Sequence, residues 1–181
     1  MSKSMKKGSS EVLQSAREHI ISNARCLAEA SIELFEAERY GPSCFLAMTS
    51  IEEVGKLFTL RLLQISLNDS YPSDVDKGKL KSFLHDHTGK AISATADSLF
   101  INSGADRRQG VHPISGKYRT SGIMLLARSE EWMSHRSSSI YTDIILDART
   151  VVSPAQVISR SHAYYFVCMA YEVLAEQAES G

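Results

Sequence analysis

The sequence predicts an all-α fold, a bundle of four to five helices with one long loop before its last part. Three observations predict it. Apolar residues recur at three- and four-residue steps over long stretches, the period of a helix face. One stretch, residues 43–67, is apolar nearly all round, as a central helix covered by neighbours must be. Only four prolines and ten glycines punctuate 181 residues, which leaves room for long helices.

The first ten residues, with Lys3, Lys6 and Lys7 among serines, read as a solvated, disordered basic tail, and residues 11–177 as a single domain. From Glu11 to about Glu38 the residues Leu13, Ala16, Ile20, Ala24, Leu27, Ser31, Leu34 and Phe35 mark one face of a long amphipathic helix. Tyr40-Gly41-Pro42 is expected to stop it, because glycine suits the position after a helix and proline the first turn of the next. The second helix should run from about Ser43 to Leu67 and turn at Asn68-Asp69-Ser70-Tyr71-Pro72-Ser73. A third is expected from Val75 to about Ile101, with Gly89 weakening it.

Residues 102–122 have little periodicity and read as a long surface loop, of the kind that often carries function. Ile123 to Met133 reads as a short helix or partly as a strand, and the isoleucines between Arg136 and Asp147 do not settle a period. Ser153-Pro154 is a helix start, hydroxyl at the cap and proline in the first turn. That last helix should reach Glu176, with Val157, Ala163, Tyr164, Val167, Ala170, Tyr171 and Leu174 inward. No internal repeat or second domain is apparent.

An apolar share of 43% with both charge signs present is a globular composition, and the length allows a core without disulfides or a structural metal. The net charge of −1 excludes a non-specific coater of nucleic acid but not a compact site with two or three local cations. No run approaches the roughly 20 apolar residues needed to span a bilayer, and no signal-peptide pattern follows the basic tail. Cys26, Cys44 and Cys168 are odd in number and scattered on apolar faces, as buried free thiols would be. The cytoplasm is the expected location.

Polar residues stand where the pattern asks for apolar ones. Glu52, Glu53, Lys56 and Arg61 interrupt the second helix. Glu52–Lys56 and Glu53–Lys56 have the i,i+4 and i,i+3 spacings that meet on a helix surface. Gly55 in the middle of that helix costs about 1 kcal/mol against alanine and makes sense if a backbone or ligand approaches closely. Charges on a buried helix need partners, since an unpaired buried charge is very costly. His85, His87 and Lys90 are candidates, with His87 and Lys90 able to share a helix face. A plainer account of the Glu/Lys cluster is a lock for helix packing.

The ordered set Ala47-Met48-Thr49-Ser50-Ile51-Glu52-Glu53-Val54-Gly55-Lys56, then His87-Thr88-Gly89-Lys90, then Arg136 with Tyr141 and Asp143, resembles the AbiV-type abortive-infection proteins of the HEPN superfamily. Arg39-Tyr40 before the first motif keeps the order. The resemblance covers Glu11 to about Glu176; the first motif is moderately specific, and the others tell only in combination. It implies a HEPN helical bundle, commonly a homodimer, used in defence against bacteriophage. Many HEPN proteins are metal-independent endoribonucleases with four to six residues between an arginine and the histidine that follows it. In that chemistry a base takes the ribose 2′-OH proton, the oxygen attacks the adjacent phosphate, and the arginine offsets the developing charge.

The sequence departs from that motif where it matters. Arg136 is followed after four residues by Tyr141 rather than histidine, and an unperturbed tyrosine, with a pKa of about 10, is a poor base. Arg107–His112, in the expected loop, and Arg128–His135, two turns apart if helical, offer other pairings. The preferred site joins His87 as acid–base group to Arg136 and Lys90 as phosphate ligands. Tyr141 orients, and Glu52, Glu53, Lys56 and Asp143 support. No cofactor is implied.

A second class of function is a non-catalytic defence protein that binds RNA, or a phage or host protein, without cutting. Carboxylate-bridged metal bundles use Glu-x-x-His pairs, absent here. The His85-Asp86 doublet has no suitably placed ligands after it, and no phosphate-binding glycine motif stands at a strand-to-helix junction.

Overall fold

The computed structural model describes residues 3–67, 85–95, 122–123 and 126–178. Helix α1 spans Lys3–Glu36 and α2 spans Tyr40–Leu67. Helix α3 is described over residues 87–95, and residues 122–123 and 126–128 are also helical. Then come α4 (Glu131–Ser138), β1 (Asp143–Ile145), β2 (Thr150–Val152), α5 (Pro154–Val157) and α6 (Arg160–Ala178). The fold is the helical bundle that the periodicity predicts, with one small hairpin added. The expected turn at 68–73, most of the expected loop at 102–122 and the Arg107–His112 pair lie outside the described residues.

The core is the seam between α1, α2 and α6. Ala24, Ala28 and Ser31 are buried on α1, where small side chains let α2 approach. Ser43 and Ser50 of α2 donate hydroxyls to the carbonyls of Ser31 and Ala24, each at 2.7 Å, so their buried oxygens are satisfied. From α2 come Cys44, Ala47, Met48, Ile51, Val54 and Leu57, and from α6 Ala163, Phe166, Met169, Ala170 and Val173. Tyr164 and Tyr171, expected inward on α6, are exposed. Burial of Phe166 and Met169 turns those tyrosines to the other side of the helix. Cys44 is buried, which pushes its thiol up to about 11, whereas Cys26 is exposed and Cys168 half-buried.

Several boundaries differ from the sequence expectation, each for a local reason. Glu38, with φ 60°, takes the left-handed position that ends α1. Its N–H bonds to Phe35 O at 3.0 Å and the Arg39 N–H to Leu34 O at 2.8 Å, the pair of bonds that closes a helix end. Gly41 therefore lies inside α2. Its role is clearance, since a Cβ there would sit 2.6 Å from the carbonyl oxygen of Ser139.

The expected helix from Val75 to Ile101 is not continuous. Asp86 is non-helical and caps α3, its carboxylate accepting the Thr88 N–H at 3.1 Å. Glu130, with φ 64°, sets α4 apart from the helical residues before it, so the interval 123–133 is not one helix, and its described residues hold no strand. The ambiguous interval after Arg136 resolves into the end of α4 and an antiparallel hairpin in which Ile144 faces Val151. Ser153 and Pro154 do start a helix, but it ends at once. Ile158 is extended and buried, and the Ser159 hydroxyl accepts the His162 N–H at 3.3 Å to begin α6.

Candidate functional site

Glu52 is the centre of the polar group. It lies on α2 between Ile51 and Val54, both buried, and is itself 1% exposed. A carboxylate there needs donors on both oxygens, and α3 and α4 supply them. Oε2 lies 2.7 Å from His87 Nδ1 and 3.8 Å from Lys90 Nζ, both on α3. Oε1 accepts the Trp132 indole N–H at 3.1 Å and lies 3.1 Å from Arg136 Nε, both on α4. The arginine contact is an ion pair without hydrogen-bond alignment, for Arg136 Nε is buried and has no hydrogen-bond partner among the described residues. The guanidinium also lies over the Phe45 ring, 4.7 Å from its centroid.

Gly55 explains how α3 comes so close. A Cβ on Gly55 would stand 1.9 Å from the backbone carbonyl oxygen of Lys90, so the α3 backbone is seated directly on α2 one turn after Glu52. The close approach expected from a mid-helix glycine is thus a backbone contact. It also carries His87 and Lys90, at the start of α3, to the carboxylate.

One carboxylate faces two cations here, which leaves a surplus of one positive charge before His87 is counted. The Lys90 and Arg136 side chains are mostly buried, while that of His87 is 38% exposed. Because a carboxylate only accepts, His87 Nδ1 must donate to it, which leaves Nε2 as the free nitrogen. The group can therefore present an oriented imidazole to solvent within a positive field.

The other expected site residues are distributed differently. Glu53 and Lys56 pair with each other, and Asn23 Nδ2 on α1 donates to Glu53 Oε2 at 3.0 Å. They brace α2 against α1. Among the described residues, no hydrogen bond or ion pair joins Tyr141 or Asp143 to Glu52; Tyr141 is 60% exposed beyond α4, and Asp143 is exposed on β1. Arg128 is exposed, and Glu130 separates it from the helix of His135. His135 instead faces His162 and Phe166, at ring separations of 5.7 Å and 5.9 Å. Burial, and then the His162 charge, hold its pKa below the usual histidine value, while Glu131 opposes them.

Sequence reasoning missed Trp132 and Phe45. Both were legible only as apolar residues, although the one tryptophan of the chain carries a donor that burial must satisfy. Among the described residues, no group of three or more histidine, cysteine or acidic side chains is placed to hold a metal ion. A surface cavity of about 510 Å³, lined by Phe35, Ser159, Arg160, Ser161 and Tyr164, shares no residue with the Glu52 group.

A family model of the AbiV proteins of the HEPN group matches residues 12–175. The chain belongs to the AbiV family. The matched span takes in α2, α3 and α4, and with them every residue gathered around Glu52. No curated protein and no solved structure matches the chain. Among the described residues of this AbiV protein, no helix is long and apolar enough to cross a membrane.

Proposed function

We propose that this AbiV protein is a bacterial abortive-infection effector that acts as a metal-independent endoribonuclease in the cytoplasm, as a homodimer. The observation that carries the reading is the Glu52–His87 contact beside two cations. His87 Nε2 takes the proton of a ribose 2′-OH, and O2′ forms a bond to the adjacent phosphorus. The bond from phosphorus to the 5′-oxygen breaks, and that oxygen takes a proton from water, to which protonated His87 returns the one it accepted. The products are a 2′,3′-cyclic phosphate and a 5′-hydroxyl. Arg136 and Lys90 stabilise the charge that builds on the phosphate. Because Tyr141 and Asp143 lie in exposed positions beyond α4, His87 rather than Tyr141 carries the acid–base work.

The test is purified protein with a broad RNA panel in EDTA. Cleavage that persists there, leaves cyclic phosphate ends and falls about 100-fold or more in His87→Ala supports the reading. The burial of Lys90 and Arg136 against Glu52 favours a second reading, a non-catalytic protein that binds RNA or a phage or host protein. Intact RNA with folded protein, together with phage resistance that survives His87→Ala, would establish that second reading instead.

A further inference from the structure

The structure assigns Trp132 a positioning role: by holding Glu52 Oε1 it aims Oε2 at His87 and so orients the imidazole. The catalytic consequence rests on the reading of His87 as acid–base group; the structural consequence does not. The terminal torsion of a glutamate is broad and nearly two-fold, so its two oxygens are interchangeable until donors distinguish them. Here they are distinguished. Oε1 receives Trp132 and Arg136, and Oε2 faces His87 and Lys90.

Of the two groups on Oε1, Trp132 is the one that fixes direction. Its indole is fully buried and packs edge-on against Phe166, with ring centroids 5.8 Å apart. An indole N–H only donates, and at this depth no solvent replaces its acceptor. Arg136 Nε, at the same distance, is not aligned for a hydrogen bond and contributes charge rather than orientation. The packing of α4 against α6 therefore reaches His87 through one rigid ring and one carboxylate.

Replacing the carboxylate with an amide exposes this control. In Glu52→Gln the side chain keeps its shape but has one acceptor oxygen. With Trp132 and Arg136 both addressing the inner position, the carbonyl stays there and the NH2 group turns to His87. His87 Nδ1 must then accept, so the proton moves to Nε2 and the ring loses its free base.

The experiment is nitrogen-15 NMR of the histidine side chains in the full-length protein, read alongside RNA cleavage. In wild type the neutral form of the His87 imidazole is expected to carry its proton on Nδ1. Glu52→Gln is expected to move it to Nε2, and Glu52→Gln with Trp132→Phe to return a mixture of both forms. Trp132→Phe alone is expected to lower kcat about tenfold with KM unchanged, the pattern of a group that acts through another. The same tautomer in Glu52→Gln as in wild type overturns the assignment, as does a double variant identical to Glu52→Gln. Glu52→Gln keeps the indole in place, so it reads the orientation even where Trp132→Phe does not fold. Tautomers that shift as expected in a protein that cuts no RNA support the Trp132 assignment and overturn the nuclease reading alone.

Discussion

Glu52 and Glu53 are adjacent, chemically identical, and used in opposite ways. Glu52 points into the bundle, where four side chains from two other helices converge on it. Glu53, about 100° further round α2, keeps some solvent and meets Lys56 from its own helix and Asn23 from α1. The first is a tertiary junction and the second a local brace. A charge deep in the bundle fixes the helices around it because each partner would otherwise be buried unpaired. A charge that keeps some contact with solvent, paired with a more exposed lysine, can exchange its partner for water and so fixes less.

The widest separation between the two should appear on truncation. Glu52→Ala leaves Arg136 and Lys90 buried without their counter-ion and is expected to cost about 3–5 kcal/mol, or to prevent folding. Glu53→Ala is expected to cost less than about 1 kcal/mol. Urea denaturation of both variants decides the matter, and equal losses would remove the distinction.

A smaller effect should follow when the junction is disturbed without touching a charge. Gly55→Ala places a methyl group against the Lys90 carbonyl and must displace α3 or α2. A loss of about 1–3 kcal/mol is expected, together with a weakened His87–Glu52 contact seen as altered His87 resonances. A variant as stable as wild type with unchanged resonances would show that α3 is not seated by this glycine.

The smallest effect concerns His135, which shares the Phe166 ring with Trp132. His135 also meets His162, with Glu131 one turn earlier on α4 the acidic group acting on it. Its folded pKa lies below the unfolded value near 6.5, so below that pH the unfolded chain binds the proton more readily. The neutral imidazole thus contributes stability that is fully present above about pH 6.5 and lost as pH falls through the lower folded value. Wild type should lose more Tm between pH 7 and pH 5 than His135→Gln does, and parallel curves would count against this.

Much of the fold was legible because helix amphipathicity is a local property. The face from Leu13 to Phe35 and the apolar length of α2 could be read from spacing alone, as could Ser153-Pro154 as a helix start. The interruptions were less legible. Glu38, Glu130 and Ile158 carry no strong breaker signal, and their conformations are set by what the flanking helices pack against. The tyrosines of α6 show the same limit, since Tyr164 and Phe166 look alike until a neighbour chooses between them.

The candidate site divides in the same way. By itself the sequence determined that α2 is central, that its charges need partners, and that Gly55 admits something close. It also set the order of motifs that marks the AbiV family. Only the tertiary structure decided that Glu52, and not Glu53, is the centre, that Lys56 turns away from it, and that Trp132 joins it. The physical reason is separation along the chain. His87 and Trp132 are 35 and 80 residues from Glu52, and no local periodicity encodes which face of α2 the helices bearing them will cover.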